Sequence, residues 1–276
     1  MARVVLGYDG SPASDAALEW TAERARAELF ELEIVLVTNM FLSDRVAADR
    51  MLDAAARHWR DLVPGLPATV VRLDGLMPAT LAEAARGAAL LVLGIEPGFR
   101  MRSALTGWLP LRAAARSGAP TVLVPAGWVA SDDPVTVGLD DDASSASALL
   151  FAARAAASAD VPLRILHSWL MGSSVLRGHA SALPSTQRVA AEHQRILDAA
   201  VAEVRREYPG LGIVTELVRD NPTSALTRAA DRSSMVVIGT HGRGVVVGGF
   251  IGSIGLDLVG SLNRTICVVP PARVLV

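Results

Sequence analysis

The sequence has few of the residues that anchor extracellular, metal-bound or membrane folds. It holds one cysteine in 276 residues, Cys267, so no internal disulfide can form. That cysteine lies in the apolar string Ile266-Cys267-Val268-Val269 and reads as a small buried hydrophobe. The five histidines, His58, His167, His179, His193 and His241, have no metal-ligand spacing with it. No uncharged apolar run reaches the roughly 18 residues of a spanning helix, and the opening Met-Ala-Arg leads directly into a short run ended by Asp9, unlike a signal peptide. A net charge of −2 gives no general attraction to nucleic acid or to an anionic membrane. The expectation is a soluble cytoplasmic protein with neither partner. Aromatic residues make up only 4%, against 51% hydrophobic residues overall. Ala, Val, Leu and Gly dominate, as suits parallel strands covered by Ala-rich helices.

One unit occurs twice. Residues 5–18, VLGYDGSPASDAAL, align with residues 137–149, VGLDDDASSASAL. Setting Asp9 on Asp140 also pairs Gly7 with Gly138, Ser14 with Ser145 and Leu18 with Leu149. LLVLG at 90–94 matches MVVIG at 235–239, and TVLVP at 121–125 matches ICVVP at 266–270. The Gly-, Ser-, Asp- and Pro-containing stretch AGWVASDDP separates the copies, which places one domain at 1–129 and another at 134–276.

Apolar runs alternate with Ala-rich helical stretches in both copies. Strands are expected at 3–8, 33–38, 68–73, 90–94 and 121–124, then near 135–139, 163–168, 212–218, 235–239 and 266–269. Helices are expected at 12–29, 46–62, 77–87 and 103–117, then near 143–158, 185–207, 222–232 and 252–262. This βαβ alternation predicts an α/β fold: two tandem open parallel five-stranded sheets, Rossmann-like, with helices on both faces. Segment 170–190 has little pattern and reads as an excursion between strand and helix.

Ligands of such sheets bind beyond the carboxyl ends of the strands, where strand order reverses. An acid follows the first strand of each copy, Asp9 or Asp140. Each either caps the next helix or receives part of a ligand. After the fourth strand of the second copy comes GTHGRGVVVGGFIGS, with glycines at 239, 242, 244, 248, 249, 252 and 255. Glycine costs roughly 0.5–1 kcal/mol per position inside regular structure, so such density calls for a compensating role. Glycines admit close approach to main-chain N–H groups, and Gly252-Ser253 opening a helix adds a hydroxyl and unpaired donors: the parts of a phosphate cradle. Arg243 stands where it would either contact a terminal phosphate or face solvent. His241 is equally open, and a flexible connecting loop remains the alternative.

Gly239, two residues, Gly242, nine residues, then Gly252-Ser253 is a spacing that resembles the ATP-binding members of the universal stress protein family, and VLGYDGSPAS resembles that family's opening strand. The whole chain looks like a tandem protein of this type. The resemblance implies that Gly239, Gly242, Gly252 and Ser253 hold phosphates and ribose, with Ile254 adding a backbone N–H. Asp140 would take the adenine side, and the loop His167, Ser168 and Trp169 would line the base. It implies ATP, ADP or AMP as ligand, with Mg²⁺ carried on the phosphates, and a homodimer of chains. Family members often pair through their last strand, so the resemblance implies that the two Val-Pro-ending strands, each expected at a sheet edge, would join the copies as an internal pseudo-dimer.

The first copy departs from this pattern. From Gly94 it reads GIEPGFRMRSALTGW, with Pro97 at the second glycine and Trp108 after Gly107 where a small hydroxyl belongs. Proline removes a donor and fixes φ, so Asp9, Gly94 and Gly107 form at most a weak site. His58 and His193, on polar helical stretches, read as solvated. There is no G-x-S-x-G elbow and no Gly-Lys-Ser/Thr P-loop. With no evident base or phosphate-organising lysine beside the glycine loop, the chain reads as a regulatory nucleotide binder with at most slow hydrolysis. A nucleotide-free interaction module and an ATP-using enzyme are the alternatives.

Overall fold

A computed structural model describes residues 1–39, 44–96, 109–140, 143–170, 186–240, 258 and 263–271. The first copy runs β1 (Ala2–Gly7), α1 (Pro12–Ala25), β2 (Phe30–Thr38), α2 (Arg45–Leu62), β3 (Ala68–Asp74), α3 (Ala79–Ala84), β4 (Leu90–Ile95), α4 (Leu109–Ser117) and β5 (Thr121–Pro125). The second runs β6 (Val135–Leu139), α5 (Ala143–Ser158), β7 (Leu163–Ser168), α6 (Thr186–Glu207), β8 (Ile213–Val218), α7 (Pro222–Ala230), β9 (Met235–Gly239) and β10 (Thr265–Val269). The expected helix at 252–262 lies outside the described residues except for Leu258, and the 170–190 excursion does so apart from Leu170 and its last residues.

Each copy pairs its strands in parallel in the same order, but the two sheets are one. The ten strands run β3-β2-β1-β4-β5-β10-β9-β6-β7-β8. The join is antiparallel, with Leu123 opposite Ile266, Val122 opposite Cys267 and Thr121 opposite Val268. The sequence places β5 and β10 at sheet edges. Each is the edge of its own copy, yet both are fully covered in the joined sheet, because pairing with each other satisfies the N–H and C=O groups an edge would expose. The free edges are β3 and β8, where burial drops and Val70 and Val214 are exposed.

Two apolar layers flank the sheet. One packs α1, α2, α5 and α6 against residues such as Leu6, Ile34, Val122, Ile165 and Cys267. The other packs α3, α4 and α7 against Leu91, Leu123, Val236 and Ile266. The strands buried on both faces, LLVL and MVVI, have no alternation because neither face meets water. Helix starts follow local chemistry. Ser11 caps α1, its Oγ accepting from Ser14 N at 3.2 Å, and Pro12 fills the first turn. Asp44 caps α2 and Asn221 caps α7 in the same manner. Helix α1 stops at Ala25 rather than 29, and β2 starts at Phe30 rather than 33.

Candidate functional site

The second copy reverses its strand order between β6 and β9, the central pair of the sequence β10-β9-β6-β7-β8. Their parallel ladder runs from Val135–Met235 to Val137–Val237, while β6 continues to Leu139 and β9 to Gly239. The matching ladder of the first copy extends one pair further, to Gly7–Leu93. In the second copy, therefore, the two strands part before they end, and they deliver Asp140 and Gly239–Thr240 to the two sides of the gap. All three residues are half-buried. Such a switch point is where ligands of open α/β sheets bind.

The next strand completes the rim. Leu139 pairs with His167 in the β6–β7 ladder. His167 is 2% exposed. Its Nδ1 lies 2.8 Å from the Leu139 carbonyl oxygen and its Nε2 lies 2.8 Å from His193 Nδ1 on α6. A carbonyl only accepts, so His167 carries a proton on Nδ1; in the neutral ring Nε2 then accepts from His193 Nδ1–H. His193 also stacks on Trp169, with centroids 5.3 Å apart and planes 20° apart. The Arg219 guanidinium lies over the same indole, 5.7 Å from its centroid. Trp169 is thereby buried, its ring engaged by His193 and Arg219. The backbone leading into Asp140 is thus held by a relay from α6 through His193 and His167 to Leu139. Asp140 N in turn donates to Ser145 Oγ at 2.9 Å.

His193 corrects the expectation from sequence. It reads as solvated because α6 is polar over 186–195, but a ring at the helix–strand contact finds both a hydrogen-bond acceptor and an aromatic face. Arg219 is missed in the sequence altogether. Its only signal is its place one residue after β8.

The first copy puts different chemistry at these positions. Leu36 and Thr38 stand where His167 and Trp169 stand in the second. Thr38 Oγ1 donates to Asp74 at 2.7 Å, and Arg45 reaches the same carboxylate at 3.2 Å. Asp9 Oδ1 accepts from Ser11 N at 3.0 Å, turning the chain into α1. Beside it the Met51 side chain sits over Gly10, 2.9 Å from where a Cβ would be. Gly94 serves packing. A Cβ there would lie 2.2 Å from the Ala13 carbonyl and 2.5 Å from Ser14 N, so the first turn of α1 rests directly on β4.

Of the site residues expected from sequence, the fold gathers Asp140, His167, Ser168, Trp169 and Gly239 at one end of three adjacent strands. Gly242, Arg243, Gly252, Ser253 and Ile254, with Gly107 of the first copy, lie outside the described residues. Among the described residues, no group of three or more His, Cys, Asp or Glu could hold a metal ion. No helix among them is long and apolar enough to cross a membrane.

Comparison with known proteins gives the family and supports the fold. A model of the universal stress protein family matches residues 133–270, half of the chain. The chain belongs to the universal stress protein family. A universal stress protein of Mycobacterium tuberculosis strain H37Rv is 26% identical over 294 aligned residues, spanning 96% of this chain and 95% of the relative. A second universal stress protein of that strain is 25% identical over 297, spanning 96% and 94%. These alignments extend through the first copy, which the family model does not match. The crystal structure of a universal stress protein from Archaeoglobus fulgidus overlays 98% of both chains with a TM-score of 0.73 at 16% identity, a likeness of fold. The likeness to these universal stress proteins thus runs through both copies of the repeat.

Proposed function

We propose that this universal stress protein is a regulatory adenine-nucleotide binder, taking ATP, ADP or AMP at one site per chain in its second domain, 134–276. The observation that carries this reading is the gap between β6 and β9, which has Asp140 on one side and Gly239–Thr240 on the other at the strand-order reversal. The donor set suits the ligand. Asp140 offers an acceptor for an amino group or ribose hydroxyl, and the glycines and Ser253 of 239–253 offer main-chain and hydroxyl donors to phosphates. ATP would bring Mg²⁺ on its own phosphate oxygens. The chain's part is to bind and orient. No base is evident in the sequence beside the glycine loop, so hydrolysis is at most slow and incidental.

The first domain, 1–129, is read as lacking a competent site. Asp9 turns the chain into α1, Gly94 is packed under α1, and Pro97 and Trp108 replace a glycine and a small hydroxyl. A homodimer and a cytoplasmic setting belong to the same reading. Because β5 and β10 are paired with each other, the contact between chains must lie outside the joining strands. The test is mass spectrometry of the small molecules that co-purify with native protein, repeated with Gly252→Glu. Nucleotide present in the wild type and lost in the variant is the expected result. Its retention in the variant would remove the second-domain cradle from the account.

A further inference from the structure

The two copies meet through an arrangement that looks two-fold symmetric in the backbone and is asymmetric in charge. Val122 and Cys267 are equivalent positions of the repeat, and they face each other in the antiparallel β5–β10 ladder, so the pseudo-two-fold passes between them. On one face of the sheet α1 crosses β4 and β5, and α5 crosses β9 and β10. Equivalent residues of these helices follow from setting Asp9 on Asp140. Trp20 matches Phe151, Glu23 matches Arg154, Arg24 matches Ala155, Ala27 matches Ser158, and Glu28 matches Ala159.

One cation and one carboxylate close to the axis come from the first copy alone. The Arg24 guanidinium lies 5.9 Å from the Trp20 ring centroid and 5.9 Å from that of Phe151, between the equivalent aromatics of the two copies. Its side chain is 13% exposed, and it bonds both oxygens of Glu28, at 3.1 and 3.2 Å. Glu28, 15% exposed, then crosses to the other copy. It accepts from Arg154 at 3.2 Å and from Ser158 Oγ at 2.5 Å. The position equivalent to Arg24 is Ala155, which is buried and small.

We propose that Arg24 with Ala155, and Glu28 with Arg154 and Ser158, are specificity-determining pairs that let each joining face accept the unlike copy and reject a like one. The two like–like pairings show why. If two first copies met, two Arg24 side chains would be buried around one axis, and each Glu28 would face Glu23 and Ala27 instead of Arg154 and Ser158. Like charges held together in a desolvated contact are strongly unfavourable. If two second copies met, Ala155 would face Ala155, leaving the volume of an arginine unfilled. Each Arg154 would then face Ala159 where the unlike pairing offers the Glu28 carboxylate. The unlike pair alone supplies one large cation, one small residue and one shared carboxylate. The face is therefore a recognition surface for the second copy of this chain and does not serve for assembly through like copies. This inference stands apart from nucleotide binding.

The test uses the full chain in three forms compared by urea unfolding and solution scattering. In the like–like form, Arg154→Glu, Ala155→Arg and Ala159→Glu give the second copy the first copy's residues at these three charge-bearing or cation-facing positions, with Ser158 kept. In the mirror form, the same three changes are joined by Glu23→Arg, Arg24→Ala and Glu28→Ala, which moves the cluster across the axis. A milder variant, Arg154→Glu alone, alters a residue whose side chain is 57% exposed. The like–like form should lose roughly half a molar or more of urea midpoint and scatter as a larger, loosened particle. The mirror form should recover at least half of that loss although it carries twice the substitutions. Arg154→Glu should fall between the wild type and the like–like form. A like–like form with the wild-type midpoint would overturn the proposal, and so would a mirror form no better than it. Should the like–like form not fold, a folded mirror form supports the proposal and an unfolded one overturns it.

Discussion

Replacing His167 by leucine gives the second domain the residue found at the matching position of the first, Leu36. The change keeps a buried apolar side chain in place but removes both ring nitrogens. Two hydrogen bonds of 2.8 Å disappear, to the Leu139 carbonyl and to His193 Nδ1. Each contributes about 1 kcal/mol net, and each has a half-buried partner. Leucine regains part of that through apolar burial, so the expected net loss is about 2 kcal/mol. For a chain of this length that corresponds to a fall in melting temperature of about 4–8 °C. Calorimetry reads it directly.

The same reasoning predicts a coupling. His193→Ala removes one of these bonds and the stack on Trp169, a loss of about 1–2 kcal/mol. Since the bond between the rings can be lost only once, the double variant should cost about 1 kcal/mol less than the sum of the singles. Nucleotide affinity should weaken in both singles, because the relay fixes the backbone that leads into Asp140. A His167→Leu chain as stable as the wild type, or strict additivity in the double variant, would refute the relay.

Tyr8→Phe removes the bond from Tyr8 Oη to Asp15, 2.6 Å long, and should cost about 1.5 kcal/mol at neutral pH. Burial first, then the Asp15 hydrogen bond, raises the Tyr8 phenol well above the usual tyrosine range. An acid raised on folding contributes stability that is fully present below the unfolded value of about 10 and fades above it. The stability of the wild type should accordingly fall more steeply than that of Tyr8→Phe beyond pH about 10, as read by denaturant titrations across that range. Gly94→Ala drives a Cβ into the backbone of Ala13, 2.2 Å away, and should cost about 3 kcal/mol, whereas Gly127→Ala, with nothing within 4 Å, should stay within about 0.5 kcal/mol. Thermal unfolding of the two variants separates a packing glycine from a permissive one. Burial pushes the Cys267 thiol up, with Arg24 opposing only in part, so its modification by a disulfide reagent should occur at the rate of global unfolding. Rapid labelling of native protein would contradict that burial.

The repeat carries most of what is legible in the sequence. Strand runs such as LLVL and MVVI declare burial on both faces, and helix starts at Pro12 and Pro222 are written in their capping residues, so these element boundaries fall within a few residues. The join between the copies is legible only through the family resemblance, since nothing local in TVLVP or ICVVP distinguishes a free edge from a paired one. Switch-point residues Asp140 and Gly239 can be found because they follow recognisable strands. His193 and Arg219 cannot, because the partner of each, His167 or Trp169, is distant in the chain and is brought near only by the register of β7 with its neighbours. Arg24 and Glu28 are equally silent. In sequence they form an ordinary i,i+4 pair on a polar helix, and their role depends on the other copy arriving across the axis.

The central claim, one adenine nucleotide per chain in the second domain, is tested most directly by calorimetric titration of the full chain with ATP and Mg²⁺. The account predicts one nucleotide bound per chain. Gly252→Glu should abolish the signal, and Asp9→Asn in the first domain should leave its stoichiometry and affinity unchanged. Two equivalent sites per chain, or a single site that survives Gly252→Glu and disappears with Asp9→Asn, would contradict it.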